Sequence, residues 1–170
     1  MKEKATAFGI ERHPELTLLL GLLDQGYEQK AWHGPNLRGS IRGWTLERAA
    51  WRPAPSRHNI WEIVVHAAYW KYAVRRRLTG EVRGSFPLAG SNWFRRPIDS
   101  VSSAWKSDVA LLEEMHRSLR AAVSRVPDGK LHQPIAGGKE TPFSLISGAA
   151  AHDLYHAGQI QLVKVLSVGE

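Results

Sequence analysis

Cysteine is absent from all 170 residues, which excludes a disulfide framework, a thiolate metal ligand and a protein-borne cysteine nucleophile. Any metal must be held by His, Asp or Glu, and any thiol chemistry must use a thiol carried by a second molecule. Long apolar runs are missing too: no stretch approaches the roughly 20 residues that span a bilayer. Met1 to Thr6 lacks the apolar core and cleavage site of a secretory signal. The expectation is a cytosolic protein with no membrane partner. No run of alternating apolar and polar residues suggests a strand, and no segment repeats. Acid is in short supply, with 16 Asp and Glu against 23 Lys and Arg.

What is present suits one ordinary domain over residues 1–170. Hydrophobic residues make up 43% and charged residues 23%, enough apolar material for a packed core and too few charges for a disordered chain. Residues 1–12 read as an N-terminal arm and 13–166 as a bundle. His13-Pro14-Glu15-Leu16 opens a first helix that Gly34-Pro35 stops, with Gly26 loosening it. An irregular connector from Asn36 to Pro55 holds short helices at Leu37–Ile41 and Thr45–Ala50, anchored by Trp44 and Trp51. Ser56 or Asn59 caps a second helix that runs to Thr79-Gly80. Residues 80–97 read as a loop insert, either a lid or a segment pinned down by Phe86, Trp93 and Phe94. A third helix spans about 99 or 100 to 126, and Thr141-Pro142 opens a fourth that reaches about Ser167. Four long helical periods predict an all-α four-helix bundle, with a long first crossover connector and the insert between helices 2 and 3.

On the fourth helix Leu145, Ala149, His152, His156, Gln159, Val163 and Leu166 step by fours and threes, the spacing of a buried seam. Two imidazoles thus occupy core positions, where an unpaired polar nitrogen costs roughly 1–3 kcal/mol. On the second helix His66 shares a stripe with Ile63, Trp70, Ala73 and Arg77. His66, His152 and His156 together would offer three neutral nitrogen donors to Zn²⁺, Ni²⁺ or Fe²⁺, with a coordination position left for water or substrate. The other reading is hydrogen-bonded core histidine. Glu62, Asp153 and Gln159 are candidate partners for the far ring nitrogens, although Asp153 can equally face an adjoining helix. His116 also lies on an inward stripe. It competes as a fourth ligand or general base, and its charged neighbours favour a partly exposed histidine paired with acid. His13, His33, His58 and His132 fall at helix starts or in connectors and are assigned no chemistry.

The segments Ser56-Arg57-His58-Asn59-Ile60-Trp61-Glu62-Ile63-Val64-Val65-His66 and His152-Asp153-Leu154-Tyr155-His156-Ala157-Gly158-Gln159-Ile160 resemble the DinB-like superfamily, and the similarity covers about residues 13–166. The resemblance implies a four-helix bundle with a long first crossover, and a divalent metal on one His of helix 2 and two of helix 4, matching His66, His152 and His156. It also implies frequent homodimers. Members of that superfamily with known activity include metal-dependent transferases and isomerases that use mycothiol, bacillithiol or glutathione. A low-molecular-weight-thiol S-transferase acting on small electrophiles is therefore the first expectation, with a metal-dependent hydrolase as the alternative. A non-enzymatic nucleic-acid-binding or stress-response module is a third reading, carried by the pI near 10.0 and the run Arg75-Arg76-Arg77. No recognition helix or zinc-finger pattern supports it, and the run reads more simply as a solvated cationic face near a helix C-terminus.

Overall fold

The computed structural model describes residues 14–96 and 102–168, with no strand among them; the N-terminal arm and the expected start of the third helix at 99 or 100 lie outside these residues. Four long helices, α1 (Pro14–Tyr27), α4 (Ile60–Thr79), α5 (Ser102–Val123) and α6 (Pro142–Val168), are joined by connectors. The first connector carries the short α2 (Leu37–Ser40) and α3 (Leu46–Ala50). Local chemistry sets the ends. Asn59 accepts from the Glu62 N–H at 2.8 Å to start α4, and Gly80, at φ 73°, closes it in the left-handed region. Thr141 and Ser144 bond each other's backbone N–H at the start of α6, a reciprocal cap.

The helix α1 stops at Tyr27, short of Gly34-Pro35, where the N–H groups of Glu28 and Gln29 both close on the Asp24 carbonyl. Gly26 stands in its last turn. A Cβ there would meet the Ala150 carbonyl oxygen at 3.0 Å, so the missing side chain lets α1 and α6 approach closely.

α4 packs on α5 and α6, and α1 packs on α6 and α5. Trp61 donates to Asp108 at 2.6 Å and, further along both helices, Lys71 Nζ lies 3.4 Å from His116 Nδ1; α4 and α5 are therefore parallel. Parallel neighbours need a connection as long as the helix, and 20 residues of α4 rise about 30 Å. This accounts for the length of the segment after Gly80. α6 runs against α4, with Ile63 near Val163 at one end and Arg77 bonded to Glu140, just before α6, at the other.

Two apolar clusters fill the interior. One gathers Trp44, Trp61, Trp105, Leu112 and Ile160, the other Leu16, Leu20, Leu23, Leu119, Leu145 and Ile146. Asp24, Lys71, His116, Asp153 and His156, all buried, fall between the two clusters along their helices. The core thus contains a polar layer whose groups must satisfy one another.

Candidate metal centre

His66 projects from the middle of α4, and His152 and His156 from successive turns of α6 that face it. His66 Nε2 stands 3.1 Å from His152 Nε2, which stands 3.0 Å from His156 Nε2. The donor atoms of all three lie within 4.8 Å of one another. His66 and His156 are buried and His152 is half-buried. The buried seam of α6 ends at Val163, because Leu166 opens onto a groove beside Arg57, His58 and Trp93.

The far ring nitrogens determine which proton each imidazole carries. The Asn92 carbonyl, 2.8 Å from His66 Nδ1, can only accept, so that nitrogen donates and Nε2 keeps its lone pair. Gln159 Oε1, 2.7 Å from His156 Nδ1, does the same for His156, while its amide donates to the Tyr155 hydroxyl. Both lone pairs then point at His152 Nε2, which can give a proton to one of them. The other is left facing a nitrogen about 3 Å away that has no second proton to offer, an arrangement that a cation shared by the three nitrogens relieves. Donors about 2.0–2.1 Å from a shared zinc at angles of about 90–110° stand roughly 2.9–3.4 Å apart. The donor set therefore fits a divalent ion.

Electrostatics favour the same state. Burial lowers the His66 pKa, against the Asn92 hydrogen bond. Burial, helped by the neighbouring histidines and Lys71, takes His152 down to about 3. Burial and His66 take His156 to about 4, against the Gln159 bond. All three are neutral donors near pH 7.

The three flanking residues take different partners. Gln159 meets His156. Glu62, proposed as a partner of the ligand rings, instead gives both oxygens to Arg52 (2.9 and 2.7 Å) and one of them also to His58 (3.0 Å); burial raises its pKa, but these bonds outweigh burial and hold it below the usual range. Asp153 turns to α4 and pairs with buried Lys71.

His116 is not the partly exposed histidine that its charged neighbours suggested. It is 1% exposed, stacked on Tyr27 at 3.8 Å, with Nε2 4.0 Å from Asp24 Oδ1. Packing by α1, invisible in the α5 sequence, buries it. Glu113 binds Arg38 instead, and His116 stands outside the three-histidine cluster. The Arg75 to Arg77 run is partly exposed, with Arg75 held by Glu81 and Arg77 by Glu140.

Three contributors escaped the sequence reading. Trp93 stacks on His66 at 3.8 Å and 12°, and its other neighbour His58 stacks on it at 3.6 Å and 3°. Asn92, at φ 64°, holds His66 with its carbonyl while its side chain accepts from Trp70 Nε1 at 3.0 Å. The loop insert thus covers His66 and is also pinned by Phe86 and Phe94 against Tyr69. The spacing of His58 and Glu62, one turn apart at a helix start, was the available signal. Replacing Trp93 with alanine should weaken zinc binding about 10–100-fold, the usual cost of losing an outer support of a ligand, with Trp93→Phe restoring most of it. Competition titration against a chromogenic chelator checks this.

Acid should destabilise the metal-free protein. His116, His152 and His156 have folded pKa values of about 3, 3 and 4 against about 6.5 when unfolded. Between those limits the unfolded chain binds more protons, so stability is full above pH ~6.5 and is lost as pH falls, by up to about 1.4 kcal/mol per pH unit for each histidine. Urea melts at pH 7, 6 and 5 measure it, and a flat midpoint would contradict it.

A cavity of about 160 Å³ lies between α4 and α6 with His152 in its wall, lined also by Trp70, Lys71, Val74, Leu145 and Ala149. Among the described residues no helix is long and apolar enough to cross a membrane. The family model of the DinB superfamily matches residues 31–160, a stretch that includes His66, His152 and His156. No curated protein and no solved structure matches the chain. With most of its length matched and an all-helical fold around the site, the chain belongs to the DinB superfamily.

Proposed function

We propose that the protein holds one divalent ion, zinc, nickel or iron, on His66, His152 and His156, and uses it as a cytosolic enzyme that transfers a low-molecular-weight thiol to a small electrophile. The observation that carries this reading is the convergence of three Nε2 atoms whose lone pairs have too few protons to share. A divalent ion so held supplies Lewis acidity that favours the thiolate over the thiol.

The chain's own groups do the rest. Asn92 and Gln159 keep protons on His66 Nδ1 and His156 Nδ1, so that Nε2 stays free to donate electrons. Trp93 lies across the His66 ring and excludes water from that side. Half-buried His152, on the wall of the cavity, marks the open approach. Arg77 at the same cavity can receive a carboxylate of the thiol compound. In the transfer a sulfur–carbon bond forms, the leaving group departs with its bonding pair, and the thiol proton passes to solvent. Because the chain has no cysteine, the sulfur must belong to the co-substrate.

Zinc-loaded protein should turn over an electrophile such as 1-chloro-2,4-dinitrobenzene only when a thiol such as glutathione, bacillithiol or mycothiol is added. Thiol-independent, metal-dependent release of product would instead support hydrolysis. Protein that takes up no zinc, nickel or iron would remove the basis of both readings. A homodimer belongs to the same proposal, supported by the exposed apolar side chains Leu18, Leu22, Leu154, Tyr155, Leu162 and Val165 on α1 and α6; sedimentation at two concentrations tests it.

A further inference from the structure

We propose that His58 is a positioning residue: acting through Trp93, it holds the His66 ring in the plane that aims Nε2 at the other two histidines. The consequence for metal affinity rests on the metal-dependent reading above; the hold on the ring does not.

The loop insert reaches His66 with two consecutive residues. Asn92 takes the His66 Nδ1 proton on its carbonyl, and the indole of Trp93 lies flat on the same ring, 3.8 Å away and 12° from parallel. One hydrogen bond fixes where Nδ1 points but leaves the ring free to tilt about that bond, and a parallel plate across the face removes the tilt. The same indole meets His156 edge-on at 6.3 Å. Trp93 belongs to a stretch without regular structure and is only half-buried, so its grip depends on what stands behind it. Behind it is His58, 3.6 Å away and 3° from parallel.

His58 can serve as that backing because its own ring is fixed. Glu62 is ionised near pH 7, with a pKa below the usual carboxylate range, and a carboxylate only accepts, so His58 Nδ1 donates to Glu62 Oε2 at 3.0 Å. Glu62 is 3% exposed and receives two bonds from Arg52, at 2.9 and 2.7 Å, while Arg52 also donates to the Arg57 carbonyl. The Glu62 N–H is tied in turn to the Asn59 cap. The support therefore starts at the first turn of α4, the helix that carries His66 one turn further on. The indole is gripped between two imidazoles attached to one rod, and their separation does not depend on the path of the loop.

The test follows the ring C–H protons of His66 by NMR in the metal-free protein, assigned by their loss in His66→Gln. Protons above the face of an indole are shifted upfield, and Trp93→Ala gives their positions without it. In His58→Ala, a change at a side chain 44% exposed, these signals should move towards the Trp93→Ala positions. In His58→Phe, which keeps a flat ring against the indole, they should return close to wild type. Zinc affinity, measured separately by chelator competition, should fall about two- to tenfold in His58→Ala, the worth of one stacked aromatic pair. Adding His58→Ala to Trp93→Ala should weaken zinc no further, because His58 acts through the indole. His66 signals that stay at the wild-type positions in His58→Ala, or a zinc affinity that falls as much in the Trp93→Ala background as in the wild type, would overturn the inference. A protein that shows the shifts but takes up no metal would keep the hold on His66 and lose the metal-dependent reading.

Discussion

Replacing His152 with alanine is expected to abolish stoichiometric zinc or nickel binding, whereas His132→Ala should leave it intact. His152 Nε2 is the middle donor, 3.1 Å from His66 and 3.0 Å from His156, and its loss leaves two imidazoles with a gap between them. The fall in affinity should exceed the roughly 10–100-fold that accompanies loss of an outer support. His132 is the control because it is an exposed imidazole that bonds Glu15 at the far end of the fold. Elemental analysis after dialysis reads the stoichiometry. Thermal melts give an independent measure, because a metal at a hundredfold excess over its Kd stabilises the wild type by about 2.7 kcal/mol, a gain the variant should lack. A His152→Ala protein that keeps its metal would refute the three-histidine site.

The second large effect is expected at the buried ion pair. Lys71 and Asp153 are 2% and 1% exposed and bond each other across α4 and α6. Lys71→Met strands a carboxylate in the polar layer, and breaking one side of a buried pair costs about 3–5 kcal/mol. The double variant Lys71→Met, Asp153→Leu should recover much of that loss, because the cost lies in the uncompensated charge and not in the attraction itself. Arg77→Met, which removes the exposed pair with Glu140, should cost no more than about 1 kcal/mol. Urea unfolding of the metal-free forms gives the three values. A Lys71→Met protein within 1 kcal/mol of wild type, on the scale of that exposed pair, would mean that the layer tolerates an unpaired charge.

Much of the site was legible because helical spacing is a local property. His152 and His156, four apart on an apolar seam, face one way on any helix, and Asn59, Gly80 and Thr141 mark helix ends through their own side chains or backbone freedom. His116 was misread because its burial depends on Tyr27, a residue of another helix. Glu62 was a candidate partner of the ligand rings because it stands one turn before His66, and its bonds go to Arg52 and His58 from the preceding connector. Trp93 and Asn92 lie in a loop without periodicity, where no spacing rule says which side chain a residue will meet.

From its residues alone this chain was committed to be helical, free of cysteine chemistry, and equipped with imidazoles on inward faces, since each of these follows from composition or from the repeat of a single helix. Which helices run parallel, that the long return loop lays Trp93 on His66, and that Asp153 finds Lys71 across α4 and α6 were decided only when the helices packed. Those outcomes depend on contacts between residues far apart in the chain, whose register is set by the shape of the whole core.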